Sequence, residues 1–178
     1  MQKKHILLAK ESLKLLEKKD LGRIKISSIL KNHTNTGIKN KTQLLENINS
    51  FFDFLLKKNL SSLESSSQKD MLFEIIMARL DILNSYRKSV KNIINYLRSR
   101  PHEFIKIIPS FVNSMILIAT LSNIKANGIK GAAKIKGIFF LYLLIVYTWS
   151  KDETASLEKT MTTLDKYLSN IEKYLDIL

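Results

Sequence analysis

The chain has 178 residues, 45% of them hydrophobic, and a formal net charge of +13 at pH 7. That length and apolar content suit one domain of ordinary size or a small module joined to a larger one, and they exclude a chain that is disordered throughout. The sequence has no cysteine, which excludes disulfides, thiolate metal sites and cysteine nucleophiles and suits a reducing cytoplasm. Only two prolines and five glycines interrupt it, so we expect long helices and an all-α fold.

The positive charge is concentrated at the start of the chain. Residues 1–60 carry thirteen Lys/Arg and five Asp/Glu, a net of +8, and the remaining residues carry a net of +5. A basic segment of this kind is typical of proteins that bind nucleic acid or an anionic membrane. The alternative is a compositional bias, because Lys outnumbers Arg by 24 to 5 and Ile and Asn are abundant. The sequence leaves both interpretations open.

We expect neither a signal peptide nor a membrane-spanning helix. The first twenty residues have no long apolar core. The apolar run 107–121 is interrupted by Pro109 and three polar residues, and the run 137–149 has only 13 residues, against the ~20 that a spanning helix needs. Both runs are predicted to be buried core helices, and the protein is predicted to be cytoplasmic, with a membrane-peripheral location as the alternative.

Three short helical segments are predicted in the first third. An amphipathic helix is expected over 3–19, because its apolar residues recur every three or four positions: Ile6, Ala9, Leu13 and Leu16. Gly22 is expected to end it as a left-handed cap. A short segment with Ile26, Ile29 and Leu30 on its inward side follows, and 33–39 is expected to be a loop because it is poor in helix formers. Asn40 or Thr42 should cap the third helix, whose apolar face is Leu44, Leu45, Ile48, Phe51, Phe52 and Leu55.

The serine-rich segment 61–67 is the predicted boundary between a basic domain, 1–60, and a larger helical domain, 68–178. In the latter, helices are predicted over 71–83, 87–97, 104–121 and 130–149. A last helix, which Asp152 or Thr154 should cap, has apolar residues spaced four and three apart, as in a coiled-coil seam: Leu157, Met161, Leu164, Leu168, Ile171 and Leu175.

The sequence contains no pattern that points to catalysis. His5, His33 and His102 lack the spacing of metal ligands, and the glycines form no phosphate-binding loop. No serine follows a strand as in a nucleophile elbow. We therefore expect a protein that is not an enzyme and has no metal or cofactor. The aromatic residues of the last two helices are expected to be core residues, with a ligand cavity or a dimer seam as the alternative.

The order of these parts resembles the TetR family, which joins a small basic helix-turn-helix unit to a larger helical bundle for ligand binding and dimerisation. The segment ILLAKESLKLLEKKDLGRIKISSIL is similar to the first helix of that family and the start of its helix-turn-helix. The segment NKTQLLENI is similar to its Ser-Lys-Glu-x-Leu-Leu motif, with Lys41, Leu44 and Leu45 on the matching positions. The resemblance implies a three-helix N-terminal unit, here a degenerate helix-turn-helix, and a C-terminal helical bundle.

The C-terminal part resembles one branch more specifically: the alphaproteobacterial and mitochondrial proteins of TetR-like fold that assist ubiquinone biosynthesis. Their Met-x-Arg-x-Asp motif matches Met77, Arg79 and Asp81. Their Trp-x-x-Asp and Thr-Met-x-x-Leu-Asp motifs match Trp149, Asp152, Thr160, Met161, Leu164 and Asp165. The similarity covers about residues 70–175. It implies a non-enzymatic homodimer that binds a lipid or isoprenoid and presents a quinone precursor to a biosynthetic enzyme.

This resemblance assigns two sets of residues. The wall of the apolar ligand pocket is predicted to include Met77, Leu80, Phe104, Phe111 and Met115. The dimer interface is predicted to include Phe139, Phe140, Leu143, Tyr147, Trp149, Leu157, Met161, Leu164 and Leu168. The basic face would then meet anionic lipid headgroups or the partner enzyme.

The alternative is a TetR-type transcription regulator that responds to a ligand. Its DNA-contacting residues would be Lys25, Ser28, Lys31, Asn32, His33, Lys39 and Lys41. A helix-turn-helix needs a second helix that can lie in the major groove. Between Ile29 and Lys41 this chain has roughly half a dozen fewer residues than the TetR pattern, about one and a half helical turns, and the Tyr-Phe pair of the family is missing. The lipid-binding hypothesis is therefore favoured.

Overall fold

The structure is a computed structural model that describes residues 1–31, 33–60 and 67–175. Over these residues the chain is all-helical, as predicted, and no strand occurs in them. The α-helices of these ranges are α1 (Lys3–Leu16), α2 (Ile26–Leu30), α3 (Lys41–Asn59), α4 (Gln68–Asn84), α5 (Arg87–Arg98), α6 (Pro101–Leu121), α7 (Gly128–Lys151) and α8 (Glu158–Leu175). Two 3-10 turns are Leu21–Arg23 and Thr34–Thr36. Most of the predicted serine-rich boundary, 61–66, lies outside the described residues.

The chain forms two compact units. Unit 1 comprises Met1–Asn59 and Ile82–Phe111, and unit 2 comprises Leu60–Asp81 and Val112–Leu178. These units do not coincide with the predicted domains 1–60 and 68–178, because residues 82–111 belong to unit 1. Polar side chains of α5 explain the difference: the Ser89 hydroxyl donates to the carbonyl of Leu13 at 2.7 Å, and the Asn92 amide donates to the carbonyls of Leu16 and Lys19 at 3.1 and 2.8 Å. α5 thus binds the carbonyl of Leu16 at the end of α1 and that of Lys19 beyond it, and it adds a second hydrogen bond to the carbonyl of Leu13, which also accepts from the N–H of Glu17.

The core of unit 1 forms largely where the apolar periodicity predicts it. α1 buries Leu8, Ala9, Leu13 and Leu16, and α3 buries Leu44, Leu45, Ile48, Phe51, Phe52 and Leu56. Asn40 caps α3 as predicted, since its Oδ1 accepts from the backbone N–H of Gln43 at 2.9 Å. The hydroxyl of Thr42, the other predicted cap, donates instead to the Glu103 carboxylate at 2.9 Å.

The prediction that Gly22 ends α1 in a left-handed conformation is wrong. α1 ends at Leu16, and Gly22 lies in the following 3-10 turn, where the Asp20 carboxylate accepts from its N–H at 2.6 Å. Left-handed glycines occur instead at Gly37 and Gly128, with φ of 74° and 70°. Gly37 closes the segment 33–39, which has no α-helix in its described residues, as predicted.

In unit 2, the connection between α7 and α8 is held by the Asp152 carboxylate. One of its oxygens accepts from the backbone N–H and the hydroxyl of Thr160, both at 2.8 Å. The other accepts from the N–H and the hydroxyl of Thr154, at 3.1 and 2.6 Å. The Thr154 hydroxyl oxygen in turn accepts from the N–H of Glu158 at 3.0 Å. Both residues predicted to cap the last helix therefore do so.

α6 buries less of its apolar surface than the sequence predicts. Within the described chain, it is the helix that is long and apolar enough to cross a membrane by length and composition, with a mean hydropathy of 1.8 over 18 residues. Only 28% of that window is buried, and Ile105 and Ile116 are 65% and 41% exposed. α6 is therefore not the fully covered core helix that was expected.

Candidate functional site

The net charge of the molecule belongs to one unit. Unit 1 contains nineteen Lys/Arg and six Asp/Glu, a net of +13, whereas unit 2 contains ten of each and is neutral. The sequence division at residue 60 underestimates this separation, because the six cations of residues 82–111 fold with the N-terminal segment. Unit 1 as a whole therefore attracts an anionic partner more strongly than unit 2 does.

An open cleft of about 1010 Å³ lies within this basic unit. The turn after α1 and the start of α2 line it with residues 22–27, and the first turn of α3 with residues 39–43 and Glu46. Tyr96 of α5, and Glu103 and Lys106 of α6, complete the lining. Three residues of the predicted nucleic-acid-binding set, Lys25, Lys39 and Lys41, meet in this cleft.

Three cations of the lining are exposed and unpaired. The side-chain cations of Arg23, Lys25 and Lys39 make no ion pair or hydrogen bond with any residue in the described part of the chain. Lys106 is paired with Glu103 at 2.9 Å, and Glu46 adds one further carboxylate to the wall. The lining therefore keeps an excess of positive charge.

Lys41 has a structural part in this cleft. Its ammonium donates to the carbonyls of Leu21 and Gly22 at 2.7 and 3.1 Å and lies 5.6 Å from the centre of the Tyr96 ring. Burial, and then repulsion from Arg100, lower the pKa of Lys41, and Asp20 and Glu103 partly offset this. Two of its three N–H groups are thus committed to fastening α3 to the turn, and its phosphate contact stays a prediction.

Glu103 holds the opposite wall in place. Its carboxylate accepts from Lys106 at 2.9 Å and from the Thr42 hydroxyl at 2.9 Å, and these hydrogen bonds lower the pKa of Glu103 despite the opposing effect of burial. The Arg100 guanidinium stacks 4.6 Å from the ring centre of Tyr96. α3, α5 and α6 are therefore tied together around the cleft, which presents a preformed surface to a ligand.

The other predicted nucleic-acid residues lie elsewhere. Ser28 donates its hydroxyl to the carbonyl of Lys25 at 2.7 Å, and Lys31 is exposed at the end of α2. His33 Nε2 lies 2.8 Å from the Glu11 carboxylate. Asn32 lies outside the described residues. This set is therefore only partly brought together.

The five predicted pocket residues are divided between the two units. Leu80 and Met115 are fully buried in unit 2, where Met77 is half-buried. Phe104 and Phe111 belong to unit 1, with ring centres 6.3 Å apart. The apolar ligand pocket they were expected to share stays a prediction.

The predicted dimer residues fall into three groups by exposure. Trp149, Leu157, Leu164 and Leu168 are core residues of unit 2, and Phe139 and Leu143 are half-buried. Phe140, Tyr147 and Met161 are 67%, 49% and 39% exposed, and they remain accessible to a second copy.

The motif residues behind the resemblance are mostly structural. Trp149, Asp152, Thr160 and Leu164 are each at most 1% exposed and hold the end of α7 against the start of α8. Arg79 is equally buried, and its guanidinium donates to the Tyr142 hydroxyl at 2.9 Å and the Ser114 hydroxyl at 3.4 Å. These motifs therefore bear on how unit 2 folds rather than on an exposed site.

Comparison with models of known protein families gives no match, and comparison with curated proteins gives no significant match. In the described part of the chain, no group of three or more His, Asp or Glu is placed to hold a metal ion. The basic cleft of unit 1 is thus the candidate site with the clearest chemistry. Sequence reasoning missed Arg23, Tyr96 and Lys106; Tyr96 and Lys106 lie more than 50 residues beyond Lys41, so they carry no local signal in common with the basic stretch.

Proposed function

We propose that the protein is a non-enzymatic, lipid-binding accessory protein of the TetR-like, ubiquinone-biosynthesis type, whose basic unit 1 docks on anionic lipid headgroups. The separation of charge carries this proposal, since unit 1 has a net charge of +13 and unit 2 none. Each Lys or Arg near an anionic membrane surface contributes about 1 kcal/mol of attraction. Several exposed Lys and Arg side chains of unit 1 would therefore have to act together for stable docking, and the net charge of +13 provides for this.

An exposed apolar side chain on the same unit supports membrane contact. Ile105 of α6 is 65% exposed and has exposed His102 and Lys106 as near neighbours in the chain. An apolar side chain beside a lysine suits the interface between headgroups and acyl chains, where an apolar group and a cation are both stabilised.

The ligand class rests on the resemblance of unit 2 to that branch. Its motif residues are those that join α7 to α8, and its neutral, apolar helices suit a lipid or isoprenoid ligand. The same resemblance supports a homodimer and a quinone-biosynthesis enzyme as partners. Each of these partners follows from the proposal and is open to direct test.

Vesicle co-sedimentation tests the docking. The full-length protein should pellet with vesicles that contain 30% anionic phospholipid and stay in solution with purely zwitterionic vesicles. The variant Ile105→Ser should weaken anionic-vesicle binding about fivefold, because one apolar anchor is lost. Ile116→Ser is the matched control: Ile116 is 41% exposed, belongs to neutral unit 2 and lies in a stretch, 107–124, without a charged side chain, so its loss should change binding less than twofold.

Equal binding to both kinds of vesicle, or equal weakening by the two variants, would contradict docking through unit 1. Native mass spectrometry of the purified protein tests the ligand separately. We expect a co-purifying lipid or isoprenoid, and consistently empty protein would contradict that part of the proposal.

A further inference from the structure

The cleft of unit 1 has a charge and size that match a specific chemical group. Arg23, Lys25 and Lys39 present three cations without a counter-ion among the described residues, on one open cleft of about 1010 Å³. Unpaired cations that converge on one concave surface are the usual means of holding a phosphate, through charge-assisted hydrogen bonds. The volume is at the upper end of the range for small-molecule sites, so it exceeds what a bare phosphate needs.

The rest of the lining suits a phosphate that is attached to a larger body. Ile26, which is half-buried, lines the cleft beside the polar groups and supplies aliphatic surface, whereas Ile24 and Tyr96 are only 5% and 6% exposed. The first turn of α3 is also part of the lining, and its backbone dipole adds to the positive potential of the lysines. Both features favour an anionic head with an apolar or aromatic remainder.

The two carboxylates of the lining do not cancel this preference. Glu103 is occupied by Lys106 and by the Thr42 hydroxyl. Glu46 offsets one of the three unpaired cations, which leaves a net positive lining. A ligand with at least two negative charges is therefore favoured over a monoanion such as a carboxylate.

We propose that this cleft is a discrete binding site for the phosphate or diphosphate group of an amphiphilic ligand. The phosphate group could belong to a lipid headgroup or to a soluble phosphorylated compound. For the lipid headgroup, the inference rests on the proposed membrane docking and deepens it. Arg23, Lys25 and Lys39 bind the phosphate oxygens, and Ile26 packs against the attached body.

Calorimetric titration of the full-length protein with inorganic diphosphate tests the site without any lipid. The double variant Lys25→Gln/Lys39→Gln should weaken diphosphate binding at least tenfold. The matched control is Lys57→Gln/Lys58→Gln, which removes the same charge from exposed positions at the other end of α3. Lys57 lies 16 residues after Lys41, the first residue of α3, which is about 24 Å at the helical rise, so the control should retain binding within twofold.

Equal weakening in the two double variants would overturn the proposal, because it would reduce the effect to the overall charge of unit 1. So would a wild-type protein that binds diphosphate no better than sulfate at the same ionic strength. Thermal unfolding of both variants checks that they fold, as expected for substitutions of exposed side chains.

Anionic vesicles identify the source of the phosphate. Loss of both diphosphate and vesicle binding in Lys25→Gln/Lys39→Gln assigns the cleft to a lipid headgroup, and loss of diphosphate binding alone assigns it to a soluble phosphate compound. Wild-type protein that binds diphosphate but no vesicle keeps the cleft and removes the proposed membrane role. Wild-type protein that binds vesicles but no diphosphate keeps the proposed membrane role and overturns the proposal that the cleft binds phosphate.

Discussion

At the scale of single residues, the buried Asp152 carboxylate is the group that joins the end of α7 to the start of α8. It is 1% exposed and accepts from two backbone N–H groups and two hydroxyls, on Thr154 and Thr160. Burial alone would raise the pKa of Asp152, but these hydrogen bonds outweigh it and hold that pKa well below its usual range. The ionised carboxylate is therefore the form that the α7–α8 connection requires.

Asp152→Asn should destabilise the protein by about 2 kcal/mol at pH 7. The amide keeps the shape but offers one acceptor oxygen instead of two, so charge-assisted hydrogen bonds to Thr160 or Thr154 are lost. Urea unfolding followed by circular dichroism measures the change. Asp165→Asn, on the exposed surface of α8, removes the same charge and should cost less than 0.5 kcal/mol.

The pH dependence of that difference gives a second check. Because the folded-state pKa of Asp152 lies below the unfolded value of 3.8, its contribution is complete above that pH and is lost as the pH falls further. The gap between wild type and Asp152→Asn should thus be constant from pH 7 to about 5 and narrow below about 4. A gap that stays constant down to pH 3 would show that the carboxylate charge is not what stabilises the connection.

At the scale of elements, the sequence predicts helices well where burial is one-sided. α5, predicted over 87–97, spans Arg87–Arg98, and α3 begins directly after its predicted cap Asn40, because the spacing of their apolar residues matches a helix with one buried face. The predicted Gly22 cap is wrong because α1 stops at Leu16, whose carbonyl accepts from the Asn92 amide of α5. That contact joins residues 76 positions apart, which no local pattern records.

The candidate site was predicted only in part for the same reason. Lys25, Lys39 and Lys41 stand out in a basic stretch, but the cleft exists because Tyr96 and Lys106 come to face them from α5 and α6. Leu157, in unit 2, also has a backbone conformation that its residue type does not predict. Its φ of 55° is rare for a bulky side chain, and it lies directly before α8, which the Asp152 and Thr154 side chains cap. Tertiary contacts decide these positions.

The segment between α2 and α3 bears on the DNA-binding alternative. Where a helix-turn-helix has its recognition helix, the described residues form the 3-10 turn Thr34–Thr36 and the left-handed Gly37. We therefore expect duplex DNA to bind without sequence preference, through phosphate contacts alone. With the three unpaired cations of the cleft involved, affinity should fall about 40-fold between 50 and 200 mM NaCl.

Fluorescence anisotropy with several unrelated duplexes of equal length measures both properties. Binding through phosphates alone predicts similar dissociation constants for all duplexes at each salt concentration. One duplex that stays bound at 150 mM NaCl while the others dissociate would favour the regulator over the lipid-binding protein.

At the scale of the whole molecule, the charge separation divides the surfaces available for association. Two copies of unit 1 repel each other at net +13, whereas two copies of neutral unit 2 do not. Unit 2 also presents exposed apolar residues along α7 at helical spacing: Phe140, Leu144 and Tyr147. Self-association through an apolar stripe on a neutral unit meets little electrostatic repulsion. It also removes exposed apolar area from water.

We therefore expect a dimer in sedimentation velocity at micromolar concentration, formed through this stripe. Phe140 is its most exposed member at 67%, so Phe140→Ser should weaken dimerisation at least tenfold, in line with the ~1.5–3 kcal/mol that burial of a large apolar side chain contributes. Ile129→Ser removes an even more exposed apolar residue from the start of the same helix. Because Ile129 lies eleven residues from Phe140, about 16 Å along α7, this control should leave the dimer intact. Equal effects of the two variants would mean that the subunits associate through nonspecific apolar contacts along α7. A monomeric wild type would remove the dimer from the proposed function, but it would not affect the proposal for the basic cleft of unit 1.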